Sequence, residues 1–128
     1  MADSRYERGL KNFAKIVGGD GEKALAEINA VSPDFARYII EFPFGDIYER
    51  PQLDLRSREM CAVAALIVLG GAERQLYTHI QAALTVGVKK SELIEIVIQM
   101  ANFAGYPRAI NGIKVLASAT DDFEKGQK

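Results

Sequence analysis

The sequence has one histidine, one cysteine and no tryptophan among its 128 residues. The lone cysteine, Cys61, cannot form a disulfide within the chain, and it excludes the paired thiols of a CxxC motif. A zinc site made of histidine and cysteine needs three or four such ligands, and the chain offers only two. We therefore expect no metal cofactor.

The chain also lacks an excess of charge and a long apolar run. Its 16 Lys and Arg residues nearly balance its 17 Asp and Glu residues, so the charge favours neither nucleic acid nor an anionic membrane as partner. The longest apolar run, MCAVAALIVL at residues 60–69, is too short for a membrane span of about 20 residues. The first residues do not resemble a signal peptide. We expect a soluble, cytoplasmic protein with a single domain over residues 1–128.

What the sequence does contain is apolar residues at helical spacing along nearly its whole length, without a strand pattern. Pro43 is expected to disrupt a helix, and residues 44–55 to be irregular or a short helical turn. The pattern predicts an all-α fold, a compact bundle of about six to seven helices. The predicted helices cover residues 4–17, 20 onward, 33–42, 55–69, 73–86, 90–104 and 107 onward.

Two of these helices carry more apolar surface than a chain of this size can bury. The helix at 55–69 is apolar on every side, so we expect it to be central, with Cys61 as an inert thiol in the core. In the helix at 90–104, the apolar arc covers more than half of the circumference. A subunit interface would cover the surplus, so the pattern favours a homo-oligomer.

His79 lies at the edge of an apolar helix face that includes Leu76, Ile80 and Ala83. Glu59 begins the apolar stripe of the preceding helix, where an unpaired carboxylate would be costly to bury. A hydrogen bond from the His79 ring to Glu59 would fix the ring's tautomer and raise its basicity. Glu59 lies about twelve residues before the connecting turn and His79 about eight after it, so their contact could need a bridging water or a third helix. Two interpretations remain: a catalytic pair, or a satisfied internal or inter-subunit pair without catalysis.

Three further residues are candidates for substrate binding. Arg56 and Arg58 could hold a substrate carboxylate, and the alternative for both is an exposed first turn of a helix. Tyr106 precedes a proline and could project its hydroxyl into a pocket, although packing of the turn explains it equally well. The glycine-rich stretches are expected to end helices rather than bind phosphate, since no strand precedes them and no GKS or GKT follows.

Five segments taken together resemble the carboxymuconolactone decarboxylase family. They are the RSRE opening of the helix at 55–69, the AALIVLG run, the histidine helix QLYTHIQAAL, the segment GVKKSELIEIVIQMA, and FAGYPRAINGI. Their order and spacing extend over about residues 53–117. The preceding FARYIIEFPFGDIYERPQLDL is also similar to the lead-in usual in the decarboxylase branch.

The resemblance implies an all-α, alkylhydroperoxidase D-like fold that assembles as a homo-oligomer, commonly a trimer or hexamer, without a metal or organic cofactor. In the decarboxylase branch it implies loss of CO2 from 4-carboxymuconolactone, which gives 3-oxoadipate enol-lactone. For that chemistry we expect His79 to act as acid or oxyanion donor and Glu59 to orient it. Arg58 or Arg56 would clamp the small carboxylate substrate.

Two alternatives stand beside the decarboxylase, and a third is excluded. The family's peroxidase branch reduces peroxides through a CxxC pair, but Ala72 and Gln75 stand roughly where its cysteines would be, so that cycle is not open to this chain. A peroxidase that uses Cys61 with an external thiol remains. So does an oligomeric scaffold or small-ligand binding protein that keeps the fold without the activity.

Overall fold

The structure is a computed structural model that describes residues 2–126. All regular structure within these residues is helical, which confirms the predicted all-α fold. The helix that was predicted from residue 20 onward is divided in two near Leu25. The described helices are α1 (Arg5–Ile16), α2 (Gly21–Ala24), α3 (Ala26–Val31), α4 (Pro33–Ile39), the π-helix π1 (Ile40–Ile47), α5 (Leu55–Leu69), α6 (Glu73–Thr85), α7 (Lys90–Ala104) and α8 (Tyr106–Gly126).

The described chain forms two compact units, residues 2–54 and 55–126. The N-terminal unit contains α1 to α4 and π1, and the C-terminal unit contains α5 to α8. A single domain over residues 1–128 stays a prediction.

In the N-terminal unit, α1 packs against π1 at two glycines. A Cβ atom at Gly9 would collide with the carbonyl oxygen of Ile40, and one at Gly45 would collide with that of Arg5. The backbones therefore approach more closely than side chains would allow. The Asn12 side-chain amide adds a hydrogen bond across this contact, donating to the Phe44 carbonyl at 2.7 Å.

The region around Pro43 differs from the expected disruption. The α-helical bonding does stop at Ile39, but the helix continues as π1 through Pro43 to Ile47. Pro43 has no N–H to donate to the carbonyl of Ile39, four residues earlier. The wider π register instead lets the Tyr48 N–H donate to the Pro43 carbonyl at 2.8 Å, five residues earlier.

In the C-terminal unit, α5 packs against α6, α7 and α8, and the unit has one apolar core. Short glycine-containing connections join its helices; Gly70 and Gly71, for example, link α5 to α6 with φ of 68° and 71°. The core is formed by Val63, Ile67, Leu76, Ile80, Ala83, Val88, Leu93, Val97, Ala109, Leu116 and Ala119.

The expectation that α5 is buried on every side was wrong for the single chain. Only Glu59, Val63 and Ile67 are buried on this helix, whereas Leu69 is 64% exposed. Cys61 is exposed as well, so it is not the core thiol that its apolar neighbours suggested. It lies two residues from Glu59, which turns it by about 200° to the opposite side of the helix.

No helix of the described residues has both the length and the apolar character needed to cross a membrane.

Candidate functional site

Glu59 lies on the one side of α5 that faces the core. The next buried residues on this helix are Val63 and Ile67, four and eight positions later, so all three share a face. The Glu59 side chain has no solvent exposure. A carboxylate buried this completely is stable only if hydrogen bonds replace its water.

His79 supplies one of these bonds from α6. Its Nδ1 lies 2.8 Å from Oε2 of Glu59, so the two side chains meet directly without a bridging water or third helix. They meet because the Gly70–Gly71 connection turns α6 back along α5, and these helices pack on each other. His79 lies on α6 between buried Leu76 and Ile80, and its side chain remains 27% exposed.

The contact determines how the imidazole can act. With the Glu59 carboxylate as acceptor, the ring is assigned the tautomer in which Nδ1–H donates the hydrogen bond to Oε2. The other ring nitrogen, Nε2, makes no hydrogen bond to any of residues 2–126. Glu59 takes part in further interactions, and no buried side-chain nitrogen or oxygen among the described residues lacks a partner. The pair thus combines a fully buried carboxyl group with a partly exposed ring whose second nitrogen has no protein partner among the described residues.

Arg56 is engaged elsewhere in the C-terminal unit. Its guanidinium forms an ion pair with Glu92 near the start of α7, and its Nε donates to the Gly87 carbonyl at 3.5 Å. The Glu92 carboxylate also accepts the backbone N–H of Lys89 at 2.8 Å. This N–H and, after it, Arg56 lower the pKa of Glu92 below its ordinary value. Arg56 therefore ties α5 to α7, and its role as a substrate clamp stays a prediction.

Arg58 and Tyr106 have different positions relative to the pair. Arg58 directly precedes Glu59 in the first turn of α5, is partly buried, and takes part in interactions of its own. Tyr106 is 73% exposed at the start of α8, where Arg108 donates to the Val68 carbonyl at 2.7 Å. Val68 lies nine residues after Glu59, roughly 14 Å along α5. Tyr106 therefore does not lie beside Glu59 within one chain. Substrate binding by Arg58 or Tyr106 stays a prediction.

A second polar cluster was missed from the sequence. The Tyr77 hydroxyl donates to the Asp122 carboxylate, and the Gln81 amide donates to Tyr77 at 3.2 Å. The hydrogen bond to Asp122 raises the pKa of Tyr77. Tyr77 and Asp122 are 45 residues apart, so only the packing of α6 on α8 reveals them. Tyr77 is two residues from His79 and points to the other side of α6, so this cluster is separate from the pair.

Among the described residues, no three His, Cys, Asp or Glu side chains come close enough to hold a metal ion. The absence of metal and organic cofactors stays a prediction.

Comparison with known proteins gives the family. The model of the Carboxymuconolactone decarboxylase family matches residues 33–118, about two thirds of the chain. The chain belongs to this family. The match includes both Glu59 and His79, and it begins earlier than the five resembling segments.

Three relatives illustrate the range of the family's members. A 4-carboxymuconolactone decarboxylase of Acinetobacter baylyi is 31% identical over 106 residues, which is 82% of this chain and 78% of the relative. An uncharacterized 15.0 kDa protein of Paracoccus denitrificans is 31% identical over 87 residues, 67% of this chain and 65% of the relative. A nitrosuccinic acid decarboxylase of Metarhizium robertsii is 27% identical over 124 residues, 95% of this chain and 86% of the relative. Two of these three names describe the same type of reaction, loss of CO2.

Proposed function

We propose that this chain is a cofactor-free carboxy-lyase that removes CO2 from 4-carboxymuconolactone or a related small lactone or keto acid. Family membership and the two relatives named as decarboxylases support the reaction type. The observation that carries the proposal is the contact between buried Glu59 and partly exposed His79. A histidine oriented by a carboxylate is a common arrangement in general acid–base catalysis.

The proposed reaction needs a proton donor and no redox step. The bond between the carboxyl carbon and the ring carbon breaks, CO2 leaves, and the electron pair delocalises through the ring alkene onto the lactone carbonyl. Protonated His79 donates a hydrogen bond from Nε2 to that oxygen, or transfers its proton to carbon to form the product. The neutral imidazole then recovers a proton from solvent at its exposed edge. Throughout, Glu59 accepts the hydrogen bond from Nδ1–H, orients the ring and stabilises its charged form.

Substrate recognition in this proposal depends on a cation that pairs with the substrate's carboxylates. Arg58 and Arg56 are both candidates for this cation: Arg58 directly precedes Glu59 on α5, and both arginines also take part in interactions within the chain. A guanidinium binds a carboxylate in bidentate geometry, which would fix the orientation of the bond that breaks.

Nitrosuccinic acid is a second substrate to consider, since one relative is named for its decarboxylation. Both substrates leave an electron pair on a carbon next to an acceptor group, an unsaturated lactone in one and a nitro group in the other. Either acceptor places developing negative charge on oxygen, where one hydrogen-bond donor can stabilise it.

Assembly is part of the proposal. A homo-oligomer, a trimer or a hexamer, would cover apolar side chains that the single chain leaves exposed, such as Leu69 and Phe103. A cytoplasmic location is likewise a proposal.

A second candidate function is small-ligand binding or a scaffold role without catalysis. It is supported by the complete satisfaction of buried side-chain polar atoms in the described part of the chain, as expected of a purely structural contact. Thiol peroxidase activity is less favoured. Cys61 is exposed enough to react, but it lies on the side of α5 away from Glu59.

The test is an assay of the wild-type protein with 4-carboxymuconolactone and with nitrosuccinic acid, following CO2 release and loss of substrate. We expect turnover of at least one of them without added cofactor. Calorimetric titration with each substrate distinguishes a binding protein from an enzyme. Binding without turnover would support a binding protein, and folded protein that neither binds nor turns over would remove both substrate assignments.

A further inference from the structure

A hollow in the N-terminal unit lies along α1 and is lined by charged and polar side chains. Its volume is about 440 Å³, which falls within the range of sites that bind small molecules. The polar and charged residues that line it are Asp3, Arg8, Lys11, Asn12, Lys15 and Glu49. All of them belong to residues 2–54, whereas Glu59 and His79 belong to the C-terminal unit.

Asn12 is the buried member of this set, with an exposed fraction of 8%. Its amide nitrogen donates at 2.7 Å to the Phe44 carbonyl and at 2.7 Å to Oε2 of Glu49. Both partners are acceptors, which identifies the donor as nitrogen and places the amide oxygen, Oδ1, on the other branch. Oδ1 makes no hydrogen bond to any of residues 2–126, and no fully enclosed side-chain oxygen among them lacks a partner. Oδ1 is therefore an accessible acceptor, and it faces the hollow that Asn12 lines.

Glu49 brings an uncompensated negative charge to the hollow. Its Oε2 accepts a hydrogen bond from the Asn12 amide, which is a neutral donor. Within the part of the chain that the structure describes, Glu49 has no ion pair and its Oε1 has no donor. Oε1 of Glu49 and Oδ1 of Asn12 are thus two neighbouring acceptors that one positively charged donor can satisfy.

Lys15 brings an uncompensated positive charge. The other two cations at the hollow are engaged, since Arg8 lies 3.8 Å from the Asp46 carboxylate and Lys11 pairs with Asp3. The hydrogen bond to Asp3 raises the pKa of Lys11. Lys15 has no carboxylate partner among residues 2–126. Its ammonium group is therefore available to an anionic group of a ligand.

The two uncompensated charges line one hollow without pairing with each other. Lys15 lies three residues after Asn12, on the same side of α1. We propose that the hollow binds a free amino acid, whose ammonium group donates to Glu49 and Asn12 and whose carboxylate pairs with Lys15. A purely anionic ligand would face the Glu49 carboxylate, and a purely cationic ligand would face Lys15. A ligand with both charges satisfies both walls.

This inference goes beyond the proposed decarboxylation. The α1 residues of the hollow all precede residue 33, where the match to the family model begins, so family membership does not imply this site. It also does not depend on which reaction the chain catalyses. Its test can therefore fail while the proposed function stands, and the reverse.

The first part of the test uses the full-length wild-type protein. Each proteinogenic amino acid is added singly and followed by two-dimensional NMR of isotopically labelled protein, in which the side-chain amide signals of Asn12 report on a ligand at Oδ1. For the tightest binder, calorimetry compares the amino acid with its deaminated acid and with its decarboxylated amine. Each analogue keeps the side chain and lacks one of the two charges.

The second part uses Lys15→Gln and Glu49→Gln, which each remove one charge from the hollow. Glutamine at position 49 keeps an oxygen that can accept from Asn12, so the buried amide retains its partner. Lys23→Gln on α2 and Glu27→Gln on α3 are the matched controls, because both positions are exposed and lie outside the hollow. Circular dichroism checks the fold of every variant.

We expect at least one amino acid to shift the Asn12 amide signals, and both analogues to bind it more weakly by roughly tenfold, the usual effect of losing one charge-assisted hydrogen bond. Lys15→Gln and Glu49→Gln should each weaken binding of the amino acid by a similar factor, and the controls should not. Lys15→Gln should also bind the amino acid and its decarboxylated amine equally, since the carboxylate has lost its partner.

Three results would overturn the proposal. The first is a wild-type protein whose Asn12 amide signals no amino acid shifts, up to millimolar concentration. The second is an analogue with a single charge that binds as tightly as the amino acid. The third is a pair of folded variants, Lys15→Gln and Glu49→Gln, that both bind the amino acid as the wild type does.

Discussion

Glu59 and Glu92 are two carboxylates of the C-terminal unit with different surroundings. Glu59 is fully buried and bonds to His79, whereas Glu92 is partly exposed near the start of α7 and pairs with Arg56. The backbone N–H of Lys89 and the Arg56 guanidinium lower the pKa of Glu92. Glu92 thus links stability to pH without taking part in the candidate site.

The lowered pKa of Glu92 gives a prediction for Glu92→Gln. The charged carboxylate stabilises the fold above its unfolded pKa of about 4.3, and this contribution is lost as pH falls through the lower folded value. The variant should therefore have a lower free energy of unfolding than the wild type at neutral pH, and the difference should shrink in acid. Urea unfolding at several pH values measures it.

Glu95→Gln is the matched control for this experiment. Glu95 lies on the same helix, is exposed, and forms no ion pair within residues 2–126. Its substitution should leave stability unchanged at both neutral and acid pH. The stabilising role of the Glu92 charge would be contradicted if both variants lost the same free energy of unfolding. It would also be contradicted if the loss for Glu92→Gln persisted in strong acid.

At the residue scale, the sequence predicted that Glu59 and His79 face inward and could pair, but not whether they meet directly. Helical spacing is a local property, and it is sufficient to put Glu59 and His79 at apolar helix faces. Their direct contact depends on how α5 and α6 pack and on their register, which no local pattern contains. The Arg56–Glu92 pair was missed for the same reason, since 36 residues separate its partners.

At the scale of elements, the contact between α1 and π1 depends on Gly9. Alanine favours a helix over glycine by about 1 kcal/mol, so Gly9→Ala would stabilise α1 if only propensity mattered. The Cβ atom would collide with the backbone carbonyl of Ile40, which no side-chain rotation can relieve. We expect Gly9→Ala to lower the melting temperature measured by circular dichroism.

Gly126→Ala is the control for this substitution. Gly126 is also helical, but a Cβ atom there meets nothing within 4 Å. It should leave the melting temperature unchanged or raise it slightly. A Gly9→Ala protein as stable as the Gly126→Ala protein would contradict the close packing of α1 on π1.

Most helices were predictable because their boundaries carry local signals. Ser32 followed by Pro33 begins α4 as expected, with the Ser32 hydroxyl accepting the Phe35 N–H. The π-helix was not predictable, since proline normally ends a helix and the π register is rare. The exposed sides of α5 were misjudged because apolar composition alone does not reveal which sides of a helix the rest of the chain covers.

At the scale of the whole molecule, the chain's single histidine and single cysteine predict activity without a metal. Protein dialysed against a strong chelator should turn over substrate at the rate of untreated protein, with no added cofactor. Loss of activity that returns when a divalent metal is added would contradict the cofactor-free reaction.

The division into two units was not visible in the sequence. No stretch rich in glycine, serine or proline separates residues 2–54 from 55–126, so composition gave no boundary. The surplus of apolar surface was visible in the sequence, because it follows from the number of apolar residues and their spacing along the helices. Where that surplus lies, for example at Phe35 and Phe42 of the N-terminal unit and at Ile98 and Phe103 of α7, required the structure.

The most direct test of the catalytic role of the Glu59–His79 pair is kcat for CO2 release by His79→Ala and Glu59→Gln, using the substrate the wild type turns over fastest. We expect His79→Ala to lower kcat by about 10² to 10⁴-fold, the usual contribution of a general acid. Glu59→Gln should cause a smaller loss, since glutamine can still accept the Nδ1 proton but lacks the charge. Folded variants that both retain the wild-type kcat would show that the pair is structural and that catalysis occurs elsewhere.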